Sequence, residues 1–108
     1  MNTMKTLSLD TYIIDALMRD LAGHDRSPAA FLVYLWLWRH SEGAGKPAFG
    51  ASLQDIAYGT GLSKSAVQAA VRRLKVRQLI TAERKVATHA PIYRVMTPWR
   101  AEQLQKEV

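Results

Sequence analysis

The 108-residue sequence predicts a mainly helical α+β domain that carries a small β-hairpin. Apolar residues recur at helical spacing in segments that begin with capping residues, and two strand-like runs, 79–86 and 92–97, lie close together near the C-terminus. With 48% hydrophobic and 22% charged residues, the chain can bury a core. We therefore expect one domain over 1–108, with an N-terminal helix in 1–26, a core in 27–97 and a helical tail in 98–108.

The first helix is predicted to begin near Ser8, which can cap the first backbone amides, with Asp10 in the first turn and a stop at Gly23. Four aspartates between positions 10 and 25 recur every five residues. This interval distributes them around an α-helix, so we do not expect them to form a site. The predicted apolar face comprises Leu9, Tyr12, Ile13, Ala16, Leu17 and Leu21.

A second helix is predicted from Ser27, an N-cap residue, through Pro28 at the first helical position to His40. Residues 31–38 are apolar on every side, which is typical of a helix buried between layers or at a subunit interface. We expect the aromatic residues at 34, 36 and 38 to pack in the core rather than line a ligand cavity. A short strand over 48–51 follows.

Residues 52–77 predict two short helices joined by a tight turn. The first begins at Ser52, with Asp55 three residues later as in a capping box, and ends at 59–61; the second runs from Ser63 to about 77. A helix-turn-helix motif requires particular residue types at fixed offsets, and this segment has all three. They are the small Ala57 at the crossing, the turn residue Gly61 and the inward-facing Val67, with Ile56, Leu62, Ala70, Val71 and Leu74 at the other inward positions.

The outward face of the second of these helices fits a DNA major groove. Helical geometry directs a polar and basic set of side chains away from the buried stripe. Glutamine can pair with adenine and arginine with guanine through two hydrogen bonds each. The expected base-reading residues are Ser65, Gln68, Ala69 and Arg72. The expected phosphate-contacting residues are Ser63, Lys64, Arg73 and Lys75.

The charge distribution supports a polyanionic partner. The chain has a net charge of +6, but residues 61–100 carry nine cations and a single acid, whereas residues 1–60 have a net charge of −1. Such a one-sided segment is the electrostatic pattern of a nucleic-acid-binding protein. Double-stranded DNA is therefore the predicted partner.

Residues 27–80 resemble the winged helix-turn-helix domains of bacterial transcription regulators and of plasmid or phage replication proteins. The resemblance lies in the helix at 27–40 and in the phrases A-F-G-A-S-L-Q-D-I-A, G-L-S-K-S-A-V-Q and L-K-V-R-Q-L-I. It implies that 63–73 is a recognition helix and that the 79–97 hairpin is the wing. The implied wing contacts are Arg84, Lys85, His89 and Arg94.

Two positions depart from this family pattern. The family usually has glycine where this chain has Gln78, and a non-glycine residue in a left-handed cap costs about 1 kcal/mol. We therefore expect the helix to end in a different shape. The wing tip also lacks glycine, which predicts a wider loop around Pro91 than a tight two-residue turn.

Several classes of function are not expected. The absence of cysteine excludes thiolate metal sites and disulfides. The histidines are scattered and no glycine-rich phosphate loop is present, so we predict no enzyme activity, cofactor, metal or small-molecule ligand. The longest apolar run, 29–38, has ten residues where a membrane span needs about 18, and no secretory leader is visible. The predicted location is cytoplasmic, at the nucleoid, without membrane contact.

The sequence thus predicts a small dimeric transcriptional regulator that acts by occupying its DNA site. The candidate dimer surfaces are the 99–104 tail and the apolar residues of the first helix, namely Leu9, Ile13, Ile14, Leu17 and Met18. A plasmid or phage replication or partition protein remains an alternative. So does a winged helix that binds proteins, although a protein interface is usually depleted of charge at its centre.

Overall fold

The computed structural model describes residues 5–101. Its elements are an N-terminal helical segment (11–24), α1 (Pro28–His40), a 3-10 turn (Glu42–Ala44), β1 (Phe49–Gly50), α2 (Leu53–Thr60), α3 (Lys64–Val76), β2 (Ile80–Glu83), β3 (Ile92–Val95) and a final helical segment that begins at residue 98. The mainly helical fold with a small antiparallel sheet is as predicted. Within the described residues, none of the helices is both long and apolar enough to cross a bilayer.

Helix α1 is the centre of the core. It begins as predicted, with Pro28 in the first turn and the Ser27 hydroxyl accepting a hydrogen bond from the Ala30 N–H at 3.3 Å. The helix packs against the N-terminal segment, α2, α3 and β3. Tyr34 and Trp38 are buried as expected, and Trp36 is half-buried and packs against the core.

The sheet has three antiparallel strands in the order β1-β3-β2. Its strands are shorter than predicted, because pairing between β2 and β3 begins only at Glu83 opposite Ile92. Residues 84–91 therefore form the connecting loop, which is wide as the absence of glycine indicated. The predicted strand at 48–51 is reduced to two residues, with Phe49 paired to Tyr93.

The N-terminal helix differs from the prediction at both ends. It begins at residue 11 rather than near Ser8. The Ser8 carbonyl accepts a hydrogen bond from the Trp38 indole at 2.9 Å, and this tertiary contact holds the segment before the helix against α1. It continues past Gly23, and the chain turns at Arg26, which has a left-handed φ of 52°. The Ser27 N–H then closes the turn on the Leu21 carbonyl at 2.8 Å.

Two stretches of this helix, Ile13–Leu17 and Asp20–His24, are π-helical. In a π-helix, hydrogen bonds join residues five apart, as between the Asp25 N–H and the Asp20 carbonyl at 2.9 Å. This wider turn places the side chains of Asp20 and Asp25 on the same side, where both pair with Arg77. The expectation that these aspartates point in different directions is therefore wrong for this pair.

The two ends of the described chain are joined by a polar and aromatic cluster. The Asp10 carboxylate accepts hydrogen bonds from the Trp99 indole at 2.8 Å and from Arg100 Nε at 2.7 Å. Arg100 also donates to Glu42 at 2.8 Å, and the Trp99 ring stacks on Tyr12 with centroids 4.8 Å apart. These contacts tie the residues before the first helix to those after the sheet.

This packing corrects part of the predicted dimer surface. Ile13, Leu17 and Trp99 are buried within one chain, and Leu9 is half-buried against the same core. The tail residues from 102 onward, including Leu104, lie outside the described residues. Ile14 and Met18 remain at the surface.

Candidate nucleic-acid interface

Helices α2 and α3 are joined by a turn with the predicted chemistry. Ser52 and Asp55 form a capping box, with side chain to backbone distances of 3.0 Å in both directions. Gly61 has a left-handed φ of 78°, and its N–H donates to the Ala57 carbonyl at 2.9 Å. The Ser63 hydroxyl then caps α3 by accepting from the Ala66 N–H at 3.1 Å. The predicted helix-turn-helix geometry is confirmed.

The inward side of α3 fixes its orientation. Four residues at helical spacing are buried against the rest of the core, and the helix packs on α1 and α2. This apolar stripe determines which side chains face the solvent. The buried residues are those predicted: Val67, Ala70, Val71 and Leu74.

The structure places all four predicted base-reading residues on the exposed side of α3. Ser65 and Ala69 are four residues apart, as are Gln68 and Arg72, and Gln68 and Ala69 are neighbours, so the four lie along one face of the helix. At its N-terminal end, the hydroxyls of Ser63 and Ser65 are 3.3 Å apart. The exposed residues of this face are Ser65, Gln68, Ala69 and Arg72.

The cations of α3 flank this face and point to solvent. Lys64, Arg73 and Lys75 are exposed, and no ion pair within residues 5–101 involves them or Arg72. These charges are therefore available to an external anion. Together with Ser63, the three cations form the predicted phosphate-contacting set.

Arg77, the fifth cation of this segment, has a different environment. It is half-buried, it forms an ion pair with Asp20, and its Nε lies 3.6 Å from Asp25 Oδ2. A hydrogen bond from the His24 ring holds the pKa of Asp25 below its usual value, and the Arg77 charge adds to this effect. Asp20 and Asp25 therefore position the end of α3. The sequence pattern did not indicate either residue, because the spacing that brings them together is that of a π-helix.

The end of α3 has the left-handed cap conformation that usually requires glycine. Gln78 has a left-handed φ of 58°, its N–H donates to the Lys75 carbonyl at 3.0 Å, and the Leu79 N–H donates to the Leu74 carbonyl at 2.9 Å. These are the two hydrogen bonds of a Schellman motif, and the contact between its apolar residues stabilises it. The expectation of a different exit is wrong, because buried Leu74 and Leu79 hold the turn despite the strained residue.

Three of the four implied wing residues lie together. Arg84, Lys85 and His89 are exposed in the 84–91 loop, where the Arg84 guanidinium donates to the Ala87 carbonyl at 3.0 Å. Arg94 is separate from them, since it lies in β3 and its guanidinium approaches the Pro47 carbonyl at 3.5 Å. The loop thus presents three of the implied wing residues, and Arg94 belongs to the sheet.

One group in residues 5–101 combines possible metal-ligating atoms. Asp20, His24 and Asp25 bring a ligand atom each within 4.8 Å of one another. The Arg77 guanidinium already pairs with both carboxylates, and the His24 ring lies 3.0 Å from Asp25. A protein cation therefore occupies the place that a metal ion would take.

Comparison with known proteins assigns the family. Residues 27–80 match the model of a helix-turn-helix domain. The chain belongs to this helix-turn-helix domain family. The match begins at the α1 cap and ends at the first residue of β2, so it includes α1 and the whole helix-turn-helix motif. No curated protein matches this chain.

Solved structures show that this helix-turn-helix domain has the winged fold. One similar structure is described as the N-terminal domain of a DNA binding protein, with a TM-score of 0.54 and 13% identity over 96% of this chain and 88% of that one. Another is NMB1585, a MarR family regulator from Neisseria meningitidis, with a TM-score of 0.50 and 16% identity over 89% of this chain and 67% of that one. The β2–β3 hairpin stands in the place of the wing.

Proposed function

We propose that this helix-turn-helix domain binds double-stranded DNA and regulates transcription by occupying its site, with α3 in the major groove. The observation that carries the proposal is the exposed face of α3, which combines amide and guanidinium groups with cations that make no ion pair inside residues 5–101. A helix with this outward chemistry fits the donor and acceptor pattern of base edges.

Each residue of the interface has a distinct proposed role. Gln68 and Arg72 read bases through paired hydrogen bonds, and the methyl group of Ala69 contacts thymine. Ser65 contributes a hydroxyl beside them. Ser63 and Lys64 bind phosphate at the N-terminal end of α3, and Arg73 and Lys75 bind phosphate along its side. These contacts fix the helix on the duplex.

The loop between β2 and β3 provides a second contact. Arg84, Lys85 and His89 are exposed in it, and we assign them to the phosphate backbone or the minor groove. Arg94 lies outside the loop, on β3, and has a flanking electrostatic role. Backbone contacts of this kind add affinity for all sequences rather than discrimination between them.

Selection from a random pool of duplexes, at an ionic strength of about 0.15 M, tests the proposal. Sequencing of the retained DNA should show an enriched motif. An inverted repeat would support a dimeric regulator, and direct repeats would favour a replication or partition role. Retention without enrichment would contradict sequence-specific binding, and no retention would contradict DNA binding altogether and favour a protein partner.

We further propose that the protein dimerises through its N-terminal helix. Ile14 and Met18 are 45% and 37% exposed and lie four residues apart, so they form an apolar ridge. Pairing of two copies doubles the length of DNA that is read. Analytical ultracentrifugation of the wild type and of Met18→Glu measures this directly. A monomer at tens of micromolar, with and without DNA, would contradict it.

A further inference from the structure

A groove of about 620 Å³ is lined by residues of α1, β1 and α2. We call it the aromatic groove; apart from Gly59, its lining consists of Trp36, His40, Phe49, Gln54, Asp55 and Tyr58. Neither α3 nor the 84–91 loop contributes a lining residue. The volume lies within the range of small-molecule sites, and the lining has their usual character of aromatic rings with a few polar groups.

Three aromatic rings form one wall of the aromatic groove. His40 is nearly parallel to Phe49, with ring centroids 4.9 Å apart and an angle of 21° between the planes. Trp36 is tilted by 55° relative to His40, with centroids 4.4 Å apart. Trp36 is held in place by α2, because a Cβ at Gly59 would overlap its indole. The rings therefore offer a fixed surface on which another flat ring can stack.

The polar side of the aromatic groove is anionic. Hydrogen bonds from Ser52 hold the pKa of Asp55 below its usual value, so its carboxylate is ionised at neutral pH. Asp55 Oδ2 accepts from the Ser52 N–H at 3.0 Å, whereas Oδ1 makes no hydrogen bond within residues 5–101. An acceptor is thus available beside the rings, and the Gln54 amide lies next to it.

The imidazole in the wall is itself uncharged. Burial lowers the pKa of His40, and the nearby charges of Arg39 and Lys46 lower it further. His40 is therefore neutral at neutral pH. Its ring stacks on that of Phe49. Among the six side chains that line the groove, Asp55 carries the negative charge.

Tyr58 stands at the edge of the aromatic groove with its side chain 93% exposed. An exposed aromatic side chain with so little packing contributes little to the core. Its ring can instead cover a ligand that lies on the wall, and the face of an aromatic ring attracts a cation.

We infer that the aromatic groove binds a planar aromatic cation that carries N–H donors, such as an amino-substituted nitrogen heterocycle. The flat ring stacks on Trp36, an N–H group donates to Asp55 Oδ1, and Tyr58 covers the exposed side. This inference departs from the expectation that the protein binds no small molecule. It does not depend on the proposed DNA-binding function, because the two surfaces share none of their residues.

Fluorescence anisotropy of proflavine, a planar diamino cation, tests this inference on nuclease-treated protein free of DNA. Saturable binding of one proflavine per chain is expected. Tyr58→Ala should weaken it by about two- to thirtyfold, from the loss of a cation–π contact. Asp55→Asn, which keeps an oxygen for the Ser52 N–H, should weaken it by about tenfold through the lost charge.

The controls separate this site from general adsorption. Val76→Ala removes an exposed apolar side chain that belongs to none of the proposed sites, and it should leave the affinity unchanged. The planar anion 9-anthracenecarboxylate should bind at least about tenfold more weakly than proflavine. Circular dichroism confirms that each variant is folded. Absence of saturation, equal affinities in the wild type and both groove variants, or equal binding of the anion would each overturn the inference.

Discussion

Arg77, which follows the last residue of α3, is ion-paired with Asp20 of the N-terminal helix, 57 residues earlier in the chain. A second carboxylate, that of Asp25, lies beside the same guanidinium. The end of the proposed recognition helix is therefore held by the first helix of the fold. Of the five cations between residues 64 and 77, four remain for an external partner, and this one orients the helix that carries them.

Removal of a base-reading side chain should reduce both affinity and sequence preference. Gln68→Ala and Arg72→Ala should each lose about 1–3 kcal/mol of specific binding free energy and relax the preference at one base position. Fluorescence anisotropy with the selected duplex and single-base variants measures both effects. Arg19→Ala, which removes an exposed cation from the N-terminal helix, is the matched control. Unchanged affinity and preference in Arg72→Ala would refute the assignment of α3.

A change in the 84–91 loop should have a different signature. Lys85→Ala should weaken the binding of all sequences about equally, because a phosphate contact carries no base information. The slope of log affinity against log salt should become shallower by about one unit. Titrations at several salt concentrations, with the selected and a scrambled duplex, measure this slope. A loss confined to the selected duplex would show that Lys85 reads bases instead.

The Asp10 cluster should make stability depend on pH in the acidic range. Hydrogen bonds from Arg100, and more weakly from Trp99, hold the folded-state pKa of Asp10 below the ordinary value of 3.8. A group whose pKa is depressed by folding stabilises the fold at pH values above its pKa in the unfolded state. This stabilisation is lost as the pH falls through its pKa in the folded state. Asp10→Asn should therefore lower stability by about 1–2 kcal/mol at neutral pH.

Thermal unfolding followed by circular dichroism, at neutral pH and well below pH 3.8, tests this linkage. The difference in Tm between wild type and Asp10→Asn should shrink in acid, because protonation removes the same charge from the wild type. Asp15→Asn, at an exposed position of the same helix, is the control. A Tm difference that does not change with pH would contradict the proposed contribution of the Asp10 charge.

The contact between α1 and α2 depends on a glycine. An added Cβ at Gly59 would overlap the Trp36 indole, so Gly59→Ala should destabilise the fold by about 1–3 kcal/mol. Gly23→Ala is the control, because an added Cβ there meets no atom within 4 Å and the position is helical. This second change should be neutral or stabilising by up to about 1 kcal/mol. Urea unfolding measures both, and equal effects would contradict the close packing of Trp36.

The strained residue at the end of α3 offers a stabilising change. Gln78 has a φ of 58°, and a left-handed conformation costs a non-glycine residue about 1 kcal/mol. Gln78→Gly should therefore stabilise the fold by up to about 1 kcal/mol, part of the relief being offset by the freedom of glycine in the unfolded chain. Gln78→Ala keeps the strain and should remain near the wild type. Urea unfolding that finds Gln78→Gly no more stable than Gln78→Ala would contradict this account.

The sequence by itself determined the features that depend on neighbouring residues. The caps at Ser27, Ser52 and Ser63 and the turn at Gly61 are local hydrogen-bonding and backbone preferences, and the structure places each one as predicted. The exposed face of α3 follows from helical periodicity once Val67 and its partners are buried. The fold class was therefore predictable from the local signals of its successive elements, and the proposed interface from the periodicity of one helix.

Only the tertiary structure decided the features that join distant segments. The pairing of Asp10 with Arg100 links residues 90 apart in the chain, and the π-helical turns that direct Asp20 and Asp25 to Arg77 have no visible pattern in the sequence. The same holds for Trp36, which packs against the core as expected but is only half-buried, with its indole against Gly59. Such contacts depend on which surfaces meet when the helices pack. Local propensities do not encode this choice, because it is made by the burial of the whole core.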